Sequence, residues 1–252
     1  MQYRCKKMKT IVGPVVVLAV LCAPHGARAT TVMALFNPTL VMIGVDGMGT
    51  YTYEGRDTPL KACKALVNDN TVYVASGHIP VGIKDRVLAL GDWFGVTDEA
   101  INASDLRASV EAMKDQAMTN DPPRAARYAP GGRLLTITVA RPNHGMIRFR
   151  VTFFLLMQFG RVMATHRDFT ESGVVFDSGA ENYRPAMPKE VFTVDPLALV
   201  RTGIQGAFAE PDSASGPPIT LIQITPDKIN WIDHGNCNND GTNAWDTTPP
   251  KH

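Results

Sequence analysis

Residues 27–77 read ARATTVMALFNPTLVMIGVDGMGTYTYEGRDTPLKACKALVNDNTVYVASG, and the remainder of the chain is read outward from them. Thr31 to Phe36 and Thr39 to Val45 are short runs rich in β-prone residues, separated by the turn pair Asn37-Pro38. This predicts a hairpin. Beyond a turn-rich segment from Asp46 to Pro59, Lys61 to Val67 and Thr71 to Ala75 predict a second hairpin around Asn68-Asp69-Asn70. Two hairpins in succession argue for an antiparallel sheet. The small-residue triplet Ala27-Arg28-Ala29 reads as a signal-peptidase site. Cleavage after Ala29 makes Thr30 the first residue, which then carries both a hydroxyl nucleophile and a free amine to act as its base.

Upstream of the triplet lie a cationic start and an apolar run from Ile11 to Ala23. The run is broken by Gly13-Pro14 and is shorter than the roughly 20 residues that span a bilayer, so residues 1–29 read as a signal peptide rather than an anchor. The chain is therefore expected to be exported, either periplasmic or secreted, meeting a membrane only through this segment. Removing five of the 25 cations with it leaves 20 against 24 acids, a net charge of −4. With no basic run left, the composition gives no reason to expect a nucleic-acid partner. Cys63 and Cys237 are the cysteines that remain, and an oxidising compartment allows them to pair if they meet. Such a bond would tie the third strand to the tail.

Downstream, Ile101, Leu106, Val110, Met113 and Ala117 follow helical spacing over 97–118, which Asp121-Pro122-Pro123 terminates. Leu134 to Ala140, Ile147 to Gln158 and Arg161 to Thr165 predict three strands. Asp195-Pro196 supplies a cap and a first-turn proline for a second helix bearing Leu197, Val200, Ile204 and Phe208 on one face. Ile219 to Thr225 and Lys228 to Ile232 predict a last hairpin. Strands grouped between only two helices imply an α+β domain of mainly antiparallel sheets with helices on their outer faces. The domain is read as 30–235, and 236–252 as a polar, flexible tail.

The runs TTVMALFNPTLVMIGVDGMGT and CKALVNDNTVYVASG resemble the proteasome β-subunit branch of the N-terminal nucleophile (Ntn) hydrolases. In that family a Thr opens the first strand, an Asp ends the second, a Lys enters the third and a glycine turn ends the fourth. The resemblance implies a four-layer αββα sandwich and assigns Thr30 as nucleophile, Asp46 and Lys64 as its charged support, and Gly77 as an oxyanion donor. It further implies Thr50 as a substrate-binding residue and Asp177, in GVVFDSG, as a later acid near the nucleophile. Lys61 competes with Lys64 for the lysine role. Gly47-Met48-Gly49 stands where the family has Ser-Arg-Ala, and the second half shows no Ser-Gly loop of the kind that supports the amine.

The implied activity is that of an N-terminal threonine hydrolase cutting an amide or peptide bond in a small-molecule or peptide substrate, with no cofactor. The alternative is a non-catalytic exported binding or assembly protein on the same fold; whether it forms a homo-oligomer stays open. His78, His144, His166 and His234 are too widely spaced to suggest a zinc site. Asn236, Asn238, Asp240 and Gly241 echo a calcium loop whose bidentate acid is replaced by Thr247. No metal is therefore expected.

Overall fold

The computed structural model describes residues 30–53, 56–80, 82–120, 130–177, 183–188, 191–210 and 215–245. The signal segment read over 1–29 lies outside the described residues. The chain begins with β1 (Val32–Asn37), β2 (Leu40–Asp46), β3 (Met48–Tyr53), β4 (Arg56–Lys61), β5 (Ala65–Asn68) and β6 (Thr71–Gly77). It continues through α1 (Ile83–Ala89), α2 (Asp98–Asn102) and α3 (Asp105–Asn120) to β7 (Arg133–Asn143), β8 (Met146–Leu156), β9 (Val162–Phe169) and β10 (Gly173–Asp177). After α4 (Pro196–Phe208) come β11 (Ile219–Ile224) and β12 (Ile229–Asp233).

The fold is α+β with antiparallel sheets. One sheet has the order β10-β1-β2-β11-β12, a second β5-β6-β7-β8-β9, and β3 with β4 forms a separate hairpin. The first turn forms as read, because Asn37 Oδ1 accepts from the amides of Thr39 and Leu40 at 2.8 and 2.7 Å. The apolar runs of β1 and β2 are continuous because both faces of their sheet are covered. Val32, Ala34 and Phe36 belong to the core shared with the second sheet, where Phe36 stacks on Phe149 of β8 at 4.5 Å. Met33, Leu35 and Met42 pack instead with Val200 and Ile204 of α4. The helix lies so close that a Cβ on Gly44 would come within 2.4 Å of Ile204 Cδ1.

Four α-helices occur among the described residues, where the sequence reading expected two. The helix expected over 97–118 is divided: Ala103 ends α2, and the Ser104 hydroxyl accepts from the Arg107 amide to start α3. Asn102 fixes this break by bonding both the carbonyl and the amide of Ala164 on β9, at 2.7 and 2.8 Å. The missed α1 has seven residues and only Ile83 and Val87 as buried positions, too few for a periodic signal. Residues 46–59, read as turns, contain most of the β3–β4 hairpin.

The tail reading needs a correction over 236–245. Cys237 is disulfide-bonded to Cys63, and Trp245 is buried, its amide donating to the Cys63 carbonyl at 2.8 Å. The isolated tryptophan in a polar segment was the available signal for packing. Residues 246–252 lie outside the described residues.

Candidate active site

Antiparallel register gathers strand ends that are distant in sequence. Val32 stands opposite Val45 of β2 on one side and Asp177 of β10 on the other, so Thr30 leads into β1 between two strands that end in acids. The sequence left the second block at three or four strands without locating a fourth; it is β10, and its pairing with β1 carries Asp177 to this end of the sheet. Thr30, Ser76, Gly77, His78, Arg133 and Asp177 line one small recess of about 20 Å³, partly open to solvent. Asp177 is held there by the Ser76 hydroxyl, which donates to its Oδ2 at 2.9 Å, and Arg133 lies 3.7 Å from its Oδ1.

Asp46 and Lys64 form a sealed ion pair that does not line this recess and is joined to it through Thr31. Their side chains are 0% and 2% exposed, and Lys64 Nζ donates to Asp46 Oδ1 at 2.9 Å and to the Met48 carbonyl. Lys61, the competing lysine, is exposed at the end of β4. Asp46 also accepts from the amides of Thr31 at 2.8 Å, Met48 at 3.3 Å and Gly216 at 3.3 Å. The Thr31 bond links the pair to the residue beside Thr30. Burial raises the Asp46 carboxyl above its ordinary value, against the opposing pull of Lys64 and the amides. Burial likewise lowers Lys64, against the attraction of Asp46.

Gly77 closes β6 with φ +94, and a Cβ there would come within 2.5 Å of the Leu134 carbonyl oxygen. Only glycine fits this turn without a backbone shift. Thr50 lies on β3 opposite Pro59, and its side chain is outside the described atoms.

Several contributors escaped sequence reading. Ser76 gave no signal beyond its place before Gly77. Ser215-Gly216 was not recognised as a Ser-Gly support, yet the Ser215 hydroxyl bonds Thr31 Oγ1 at 2.7 Å while the Gly216 amide donates to Asp46. Trp245 donates through Nε1 to the Lys64 carbonyl at 2.9 Å. Comparison with profiles of known protein families gives no match for this chain, and comparison with curated proteins gives none either.

Proposed function

We propose that this chain is an exported N-terminal threonine hydrolase of an amide or peptide bond, built on the four-layer αββα sandwich of the Ntn hydrolases. The observation that carries the reading is the meeting of Thr30, Gly77 and Asp177 in one recess, beside a buried Asp46–Lys64 pair tied to the Thr31 amide. The layering is supported by α4 against one sheet, the core shared by the two sheets, and α2 and α3 against β9 of the other.

Cleavage after Ala29 frees the Thr30 amine, whose ordinary pKa of about 7.7–8.0 leaves it partly neutral near neutral pH. The amine takes the proton of the Thr30 hydroxyl as its oxygen attacks the substrate carbonyl. The Gly77 amide faces the oxyanion, and the amine returns the proton to the leaving nitrogen. Water then attacks the acyl ester under the same base, releasing the acid and restoring Thr30. The Lys64 ammonium favours the neutral amine and the developing alkoxide, while Asp46 keeps Lys64 oriented.

Sequencing the mature N-terminus tests the first requirement: the chain is expected to start at Thr30, and any other start removes the base. The processed protein is then expected to form a covalent adduct with a threonine-reactive epoxyketone or β-lactone probe, and Thr30→Ala to form none. Equal labelling of both proteins overturns the hydrolase reading in favour of the non-catalytic alternative.

A further inference from the structure

The segment after β12 touches the Asp46–Lys64 pair from two sides. Asn236 donates through Nδ2 to the Gly47 carbonyl at 2.7 Å, on the residue following Asp46. Cys237 is bonded to Cys63, on the residue preceding Lys64. The segment returns through Asn243, whose side-chain Nδ2 donates to the Asn236 carbonyl at 2.9 Å, and Ala244 pairs with Cys63 as an isolated parallel bridge. Trp245 then closes on Lys64 itself through the indole bond to its carbonyl, with a side chain only 4% exposed.

Lys64 is not part of a regular strand; it lies between the Cys63 bridge and the start of β5. Its carbonyl is held by the Ala75 amide at 3.2 Å on one side and by Trp245 on the other. The direction in which its ammonium points is therefore set partly by residues far along the chain. The disulfide spans 174 residues of sequence and is the one covalent tie holding that distant segment in place.

We propose that residues 236–245 form a strap that positions the Asp46–Lys64 pair, with Trp245 as the positioning residue, and that reduction of Cys63–Cys237 by a dithiol releases it. A dithiol thiolate attacks one sulfur, and closure of its ring expels the other. Two electrons and two protons pass to the protein, leaving thiols at Cys63 and Cys237 and a cyclic disulfide in the reductant. The freed strap no longer holds the Lys64 carbonyl, and the sealed pair opens to water. Loss of turnover on reduction rests on the hydrolase reading above; the opening of the pair does not.

Acylation of lysines by N-hydroxysuccinimidyl acetate, read by peptide mass spectrometry on the processed protein with and without dithiothreitol, tests the strap. Lys114 on α3 serves as the control, since it is also buried, at 4% exposure, and bonds the Gly160 carbonyl away from the disulfide. Reduction is expected to raise the acylation rate of Lys64 by tenfold or more while leaving Lys114 unchanged. Trp245→Phe keeps the disulfide and most of the ring packing but removes the indole donor, and is expected to raise the Lys64 rate several-fold without reductant. Protection of Lys64 in every state, or a parallel rise of Lys64 and Lys114, overturns the proposal. Probe labelling of Thr30 is read in the same samples: its absence in all of them sinks the hydrolase reading while the Lys64 rates still decide the strap.

Discussion

Two ion pairs in the same fold have been built in opposite ways. Asp168 and Arg150 join neighbouring strands β9 and β8 through two bonds, Nε to Oδ1 at 2.6 Å and Nη2 to Oδ2 at 2.8 Å. Arg150 is buried, but its other donors go to the Trp93 and Val96 carbonyls, and Asp168 remains 44% exposed. Water and a fixed fork of donors thus share the work of solvating that charge, and Arg150 lowers the Asp168 carboxyl below its ordinary value. At Asp46 and Lys64 neither partner reaches water, and burial moves both groups toward their neutral forms. The first pair braces two neighbouring strands, while Arg150 also holds the Trp93 and Val96 carbonyls to the sheet. The second keeps its desolvation cost, offset by the amides of Thr31, Met48 and Gly216 that donate to Asp46.

The largest difference is expected on removing the cation. Lys64→Ala leaves the Asp46 carboxylate sealed with only amide donors, and a loss of about 3–5 kcal/mol in unfolding free energy is expected. Arg150→Ala frees two backbone carbonyls, but Asp168 can hydrate, so a smaller loss of about 2 kcal/mol is expected. Urea unfolding of both variants gives the order, and a greater loss for Arg150→Ala breaks the comparison.

The backbone around the pairs offers a second contrast. Gly77 and Gly145 both have positive φ, +94 and +83, but an added Cβ at Gly145 meets nothing within 4 Å. Gly145→Ala is therefore expected to cost about 1 kcal/mol for its backbone conformation alone. Gly77→Ala adds the collision with the Leu134 carbonyl and is expected to cost about 2–3 kcal/mol. Similar midpoint shifts in thermal unfolding would show that the recess end of the sheets can relax after all.

The parts of this contrast that were legible in the sequence are those set by local chemistry. Asn37-Pro38 marked a turn that the asparagine side chain closes, and Asp195-Pro196 marked the start of α4, where the Asp195 carboxylate accepts from the Leu197 amide at 2.9 Å. The order of Thr30, Asp46, Lys64 and Gly77 was visible because all four sit at strand ends near the N-terminus. The supports were not, because they depend on long-range register. Nothing local in Gly173–Asp177 says that β10 pairs with β1, and nothing in Ser215-Gly216 says that it caps Asp46. The strap was misread for a related reason: polar composition signals exposure, but Trp245 and Cys237 are anchored by partners that no local window contains.

The smallest expected effect separates the pairs most directly, because it concerns the sign of a slope. The Asp168 carboxyl is lowered from 3.8, so its stabilising contribution is fully present above that pH and is lost as pH falls through the folded value. Asp168→Asn is expected to cost less than about 1 kcal/mol near neutrality, given the exposure of the carboxylate. The stability difference between wild type and this variant should shrink on acidification below 3.8. Asp46 behaves oppositely: its folded value is raised from 3.8, so the folded state holds the proton more tightly, and its contribution declines as pH rises from there through the raised value. Urea unfolding of wild type, Asp168→Asn and Asp46→Asn from acid to neutral pH therefore yields two difference curves. They are expected to slope in opposite directions, and a common direction would mean that solvent reaches Asp46 as readily as it reaches Asp168.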